Sequence, residues 1–292
     1  MPTGRRVALV TCAAFPDLWD DDHPLRDALR SRGVAVDAVR WDEPDADWAG
    51  YDLVVVRSPW DYVARHEQFV AWARSVPRLL NPADIIVWNT DKRYIGELAA
   101  AGVPVIPTGF VGPGEAWTPP SSGEWVVKPT VSAGSQDTAR YRLPAQAAQA
   151  QAHVGRLTAE GRTAMVQPYL AAVATEGETA LLFFPDESGE LAFSHAIRKG
   201  PMLRQTGEHV IDVGSEEITP RTASEAEREV ARLALTAVPG GSKRLLYARV
   251  DVIPGPDGAP QVIELELSEP GLFLLTAPGA ADRLADAVLA RL

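Results

Sequence analysis

Residues 249–271 read R-V-D-V-I-P-G-P-D-G-A-P-Q-V-I-E-L-E-L-S-E-P-G. Residues 250–253 have the character of a short strand, and 254–260 are dense in turn formers. Residues 262–267 predict a second strand in which Glu264 and Glu266 alternate with apolar neighbours. Period-two alternation places these two carboxylates on one face, about 7 Å apart. A hairpin centred on Asp257-Gly258 sets Asp251 opposite Glu264. Three carboxylates on one patch raise each other's pKa unless a cation lies between them. Oxygen-only donors suit Mg²⁺, or Mn²⁺, better than zinc. An edge hairpin with a wetted polar face shows the same alternation, so the rest of the chain must decide.

The 292 residues carry a net charge of -11. That disfavours nucleic acid or an anionic membrane as partner, because both need a basic surface. Cys12 is the single cysteine, so an internal disulfide and a CxxC metal site are both ruled out. This usage fits the cytoplasm. Arg5-Arg6 followed by apolar residues 7–14 superficially resembles a signal peptide. The run is short and meets Asp17, Asp20, Asp21 and Asp22, so it predicts a buried first strand. No apolar stretch approaches the ~20 residues of a membrane span.

Strands at 7–11, 34–39 and 53–56 alternate with helices at 23–32 and 67–76, the order of a doubly wound parallel α/β unit. Arg57, Ser58 and Trp60 follow the third strand, where such sheets place ligands. Arg57 there either holds a substrate carboxylate or caps local structure. A helix over 91–101 and a linker over 112–123 come next. Strands at 125–129, 139–142 and 164–167 with a helix over 144–159 make a small α+β unit. Antiparallel strands are expected at 178–184, 191–199 and 209–213. A helix over 222–238 follows, with Glu225, Glu227, Arg228 and Glu229 outward, and a last helix spans 280–292.

No Walker A loop, no G-x-G-x-x-G after the first strand and no G-x-S-x-G elbow is present. His66-Glu67 lacks a second histidine at helical spacing. Instead Lys128 ends a strand and is followed by Thr130-Val131-Ser132-Ala133-Gly134-Ser135, a loop slim enough to lay N–H groups and hydroxyls on phosphate. Such loops are more often plain turns, and lysines are usually solvated.

The order of motifs is more specific than any one of them. Lys92 comes first, then Val126-Val127-Lys128-Pro129 with its small-residue loop. Gln167-Pro168-Tyr169 precedes Gly177-Glu178, and Arg249-Val250-Asp251 precedes Glu264-x-Glu266. This series resembles the ATP-grasp superfamily of carboxylate ligases. More narrowly, Arg57-Ser58-Pro59-Trp60, Asp91-Lys92-Arg93-Tyr94, His195-Ala196-Ile197-Arg198-Lys199-Gly200 and Glu264-Leu265-Glu266-Leu267-x-Glu269-Pro270 look like the group containing the cycloserine-forming (O-ureidoserine) cyclo-ligase.

The resemblance implies an N-terminal doubly wound α/β substrate domain (1–86), a helix and linker (87–123), a small central lid (124–168) and a C-terminal antiparallel-sheet catalytic domain (169–292). It implies ATP and Mg²⁺ as cofactors, with one or two ions. Lys92 and Lys128 would meet the α- and β-phosphates, and Ser132, Gly134 and Ser135 would fold over them. Gln167, Tyr169 and Leu170 would form the hinge beside adenine, and Glu178 would take the ribose hydroxyls. Lys199 and Arg249 would serve the γ-phosphate and the reaction, and Asp251, Glu264 and Glu266 the metal. The wider family has Asn where this chain has Glu266, which adds charge. Arg57, Ser58, Trp60, His195 and Glu269 are substrate candidates; His195 is either a general base or a satisfied structural histidine.

A carboxylate becomes a good electrophile once phosphorylated, and the enzyme supplies position and charge neutralisation. The expected partners are a small amino-acid-like carboxylate and an amine, joined between molecules or within one; a homodimer is compatible with the sequence. A kinase on the same scaffold and a non-catalytic nucleotide-binding module are the competing readings.

Overall fold

The computed structural model describes residues 4–200, 207–208 and 217–292. The chain begins with β1 (Arg6–Thr11), α1 (His23–Ser31), β2 (Ala35–Arg40), β3 (Leu53–Ser58), α2 (His66–Ser75) and β4 (Leu79–Leu80). These strands form a parallel sheet of order β2-β1-β3-β4. β3 is buried along its whole length, as a strand covered on both faces requires. α1 is followed by Gly33 at φ +80, a conformation that glycine adopts without a Cβ penalty.

Two short helices follow, α3 (Ala83–Asn89) and α4 (Tyr94–Ala100). The sequence predicted one helix over 91–101 and did not anticipate α3, whose Ile85-Ile86-Val87-Trp88 core has strand-like composition. Lys92 therefore lies in the turn between two helices and not in the first turn of one.

The central unit contains β5 (Gly109–Val111), β6 (Gly123–Pro129), β7 (Ala139–Leu143), α5 (Ala147–Ala159) and β8 (Ala164–Pro168). The short α6 (Ala172–Thr175) leads to β9 (Glu178–Pro185), β10 (Leu191–Lys199), β11 (Gly207–Glu208), β12 (Ile218–Arg221), α7 (Glu225–Thr236), β13 (Ala248–Pro254), β14 (Pro260–Glu266) and α8 (Ala280–Leu289). One five-stranded sheet has the order β11-β7-β6-β8-β5 and the other β12-β10-β9-β13-β14. β5, in a stretch to which the sequence assigned no element, belongs to the central sheet. The strand expected at 209–213 lies outside the described residues.

α7 shows why a polar residue on a helix need not face water. Ser224 caps its N-terminus, and Glu227 returns a bond to the Ser224 N–H at 2.7 Å, a reciprocal capping box. Glu227, expected outward, is buried, and Thr179 donates to it at 2.8 Å. Leu9, Leu25 and Val55 of the first sheet unit share one core with Leu182, Tyr247 and Leu284 of the last unit. On the surface Arg32 pairs with Asp282 at 2.9 Å and Asp286 at 3.1 Å, tying α1 to α8. This packing brings the loops after β1 and β3 against the end of β14.

Candidate active site

β13 and β14 pair antiparallel, with Asp251 opposite Glu264 and Arg249 opposite Glu266. One oxygen from each of Asp251, Glu264 and Glu266 lies within 4.8 Å of the others. Asp251 is fully buried. This compact, oxygen-only set is the donor chemistry that a Mg²⁺ ion takes.

Cations interleave with these carboxylates. Arg249 donates to both Asp251 oxygens at 2.9 Å and also reaches Glu266. Lys199 Nζ lies 2.6 Å from Asp251 and 2.8 Å from Glu178. Lys92 Nζ lies 3.1 Å from Glu264 and donates to the Ser132 carbonyl at 2.7 Å. Lys128 faces the same space without an ion pair or hydrogen bond to any described residue, and burial lowers its pKa.

The fields on the two glutamates diverge. Burial alone would raise Glu264, but Lys92, Lys128, Lys199 and Arg249 together hold it well below the usual carboxylate range. Glu266 is pushed up by burial; Arg249 opposes this, while Glu264 and Asp251 add to it. The structure thus sets the departure from the family's Asn beside a buried arginine.

These groups line a cavity of about 520 Å³. Its walls include Val126 and Lys128 of β6, Ser132, Gly134 and Ser135 of the small loop, and Gln167, Tyr169 and Leu170 at the end of β8. Gln167 donates to Thr108 Oγ1 at 2.9 Å, and the Tyr169 N–H donates to the Glu124 carbonyl at 2.8 Å. Gly134 and Ser135 both have positive φ, +57 and +56, so the loop turns sharply at this point of the cavity wall. Its far end is anchored by Asp137, which accepts from Arg156 at 2.7 Å and Arg162 at 2.6 Å.

The substrate candidates divide. Trp60 and Glu269 line the cavity; Arg57, Ser58 and His195 do not. Arg57 is buried, with Nε on Asp22 at 2.8 Å and Nη2 on the Pro270 carbonyl at 2.8 Å. The carboxylate-binding reading of Arg57 is corrected accordingly: its charge is already matched inside the fold. Ser58 hydrogen-bonds Thr11 at 3.2 Å in the interior. His195 Nε2 donates to the Leu272 carbonyl at 2.9 Å, and burial lowers its pKa, so it is a structural histidine.

Most of these residues have one shared task. After β14 the chain runs irregularly through Pro270 and Gly271, which cannot extend a central strand favourably. Each carbonyl from Leu267 to Leu272 accepts from a side chain: Asn81 on Leu267, Tyr247 on Ser268, Trp60 on Glu269, Arg57 on Pro270, Arg249 on Gly271 and His195 on Leu272. Buried carbonyls require such partners. Asn89 adds a second tie, accepting from the Leu267 N–H and donating to the Leu265 carbonyl. Sequence reading missed Asn81, Asn89, Tyr62 and Asp21; the one available signal was an Asn in each of two otherwise apolar stretches.

Residues 7–81 match the family described as the N-terminal domain of the D-cycloserine synthetase DcsG. Over its length the chain is 39% identical to the cycloserine biosynthesis protein DcsG of Streptomyces lavendulae, covering 98% of both chains. The chain belongs to the D-cycloserine synthetase family. The crystal structure of D-cycloserine synthetase DcsG superposes with a TM-score of 0.86 at 37% identity, over 98% of this chain and 99% of that one. More distantly, the D-alanine–D-alanine ligase of Bacillus anthracis, solved with ATP, matches with a TM-score of 0.59 at 13% identity, over 98% and 97% of the two chains. That second likeness shows the shared ATP-grasp fold. This member of the synthetase family is an ATP-grasp ligase. Among the described residues no helix is long and apolar enough to cross a membrane.

Proposed function

We propose that the enzyme phosphorylates the carboxylate of a small amino-acid-like substrate, of which O-ureidoserine is the leading candidate. The acyl phosphate is then closed to a ring by the substrate's own nitrogen, releasing phosphate. The observation that carries this reading is the meeting of Asp251, Glu264 and Glu266 with Lys92, Lys128, Lys199 and Arg249 in one cavity. Four cations beside a three-carboxylate cluster suit a polyphosphate whose charge changes during transfer.

In this scheme Lys92 and Lys128 hold the α- and β-phosphates, and residues 132–135 close over them. The backbone around Gln167, Tyr169 and Leu170 faces adenine, and Glu178 takes the ribose. Asp251, Glu264 and Glu266 hold Mg²⁺, which when bound neutralises phosphate charge and aligns the transferring group. Lys199 leaves its carboxylate partners for the γ-phosphate. Arg249, always charged and forked, stabilises the oxyanion that develops at the attacked carbonyl. The added charge of Glu266 is offset by its contact with Arg249.

The test is ATP turnover with Mg²⁺ over a panel of amino-acid derivatives, with and without amine acceptors. ADP, inorganic phosphate and a new ring from O-ureidoserine are expected. A stable phosphorylated product would make the enzyme a kinase, and AMP with pyrophosphate would overturn the scheme.

A further inference from the structure

The cavity has a second end, lined by Trp19, Asp20, Asp21, Trp60, Tyr62 and Glu269. No cationic side chain stands among these six. Arg57, the nearest candidate by sequence, is buried against Asp22 and the Pro270 carbonyl. Phe15, Trp19 and Trp60 pack edge to face, with centroids 5.1, 5.4 and 5.6 Å apart, and form an apolar wall. Such a wall keeps water away and strengthens charge interactions beside it.

Glu269 is the central carboxylate of this end; burial raises its pKa, while Tyr62, Lys92 and Arg249 favour its ionised form. Trp60 Nε1 holds its carbonyl at 3.0 Å, Arg57 holds the next carbonyl at 2.8 Å, and the buried Tyr62 hydroxyl is within hydrogen-bonding reach of its carboxylate. Asp21, in the same lining, spends one oxygen on the Leu275 N–H at 3.0 Å, while its other oxygen is buried with no partner among the described residues. A carboxylate kept out of water with acceptor capacity unused asks for a donor, and a cationic one gains most. Arg249 is bonded to the Gly271 carbonyl, two residues along from Glu269. The cation that attracts a carboxylate and the anion facing the aromatic wall are therefore fixed to one stretch of chain.

We propose that Glu269, steadied by Tyr62 and Trp60 and faced by Asp21, binds a positively charged amino group of the substrate and makes the enzyme select carboxylates that carry one. This inference rests on the ligase reading above and names what its second end recognises.

The test is calorimetric binding to the full chain with Mg²⁺ and a non-hydrolysable ATP analogue already bound. Two probes differ only in the amino group: O-ureidoserine and 3-(carbamoylaminooxy)propanoate. The wild type should favour the amino-bearing probe at least about tenfold. Glu269→Gln should remove that preference by weakening only the amino-bearing probe, and Glu269→Asp should restore part of it. Tyr62→Phe, which keeps the ring, should give a smaller loss confined to the same probe. Equal binding of the two probes, binding of neither, or an equal loss of both in E269Q overturns the proposal. Titration of the nucleotide analogue alone, in the same samples, reports separately on the nucleotide half of the ligase reading.

Discussion

The two ends of the cavity are built on opposite electrostatic plans. At the nucleotide end every carboxylate has a cation beside it: Asp251 lies against Arg249 and Lys199, Glu264 against Lys92, and Glu178 against Lys199. At the other end Asp20, Asp21 and Glu269 form no ion pair with a lysine or arginine among the described residues; Lys92 and Arg249 act on Glu269 only through their field, and Arg57 is turned into the fold. The first arrangement is ready to exchange partners when a polyphosphate and its metal arrive. The second is incomplete until something donates to it. On the proposed reading, the first end serves the nucleotide and the choice of substrate falls to a few residues around Glu269.

Removing a cluster carboxylate should cost the most. Glu264→Gln is expected to lower turnover by on the order of 10²–10³-fold while circular dichroism and melting stay close to wild type. Near-normal turnover would take Glu264 out of the site. Arg57→Leu should instead damage the fold, because it strands Asp22 as a buried charge. A loss of about 3–5 kcal/mol in denaturant unfolding is expected. Pairing it with Asp22→Asn should recover part of the loss, and no recovery would deny the buried pair its role.

Lys128→Ala should be milder, since Lys128 has no ion pair to break among the described residues. The KM for ATP should rise about tenfold, worth ~1.4 kcal/mol, with stability unchanged. An unchanged KM would place the phosphates elsewhere. The smallest effect concerns Asp137, which Arg156 and Arg162 hold at a pKa of about 2, below the ordinary aspartate value of 3.8. A lowered folded-state pKa gives stability that is present above about 3.8 and fades as pH falls through about 2. The difference in melting temperature between wild type and Asp137→Asn should therefore be constant above pH ~4 and narrow below it. A pH-independent difference would mean the arginines do not act through the charge.

The same contrast explains what the sequence made legible. Lys92, Lys128, Arg249, Asp251, Glu264 and Glu266 stand in short motifs whose order is informative; period-two alternation puts Glu264 and Glu266 on one face, and a hairpin centred on Asp257-Gly258 sets Asp251 opposite Glu264. Asp21, Tyr62 and Asn81 are isolated residues far in sequence from Glu269, and only packing of the first sheet unit against the last brings them together. Arg57 and His195 kept two readings each for a related reason. A sequence shows a donor but not whether it faces a ligand or a backbone carbonyl, and both are spent on the carbonyls of Pro270 and Leu272. Likewise α3 escaped notice because its β-branched core is stabilised as a helix by burial that composition does not reveal.

The central claim, a carboxylate activated by phosphoryl transfer, can be tested by following its oxygen. O-ureidoserine labelled with ¹⁸O in the carboxyl group is turned over with ATP and Mg²⁺, and the released phosphate is examined by mass spectrometry. An acyl phosphate requires one labelled oxygen in each phosphate formed. Unlabelled phosphate accompanying ring formation would contradict the account.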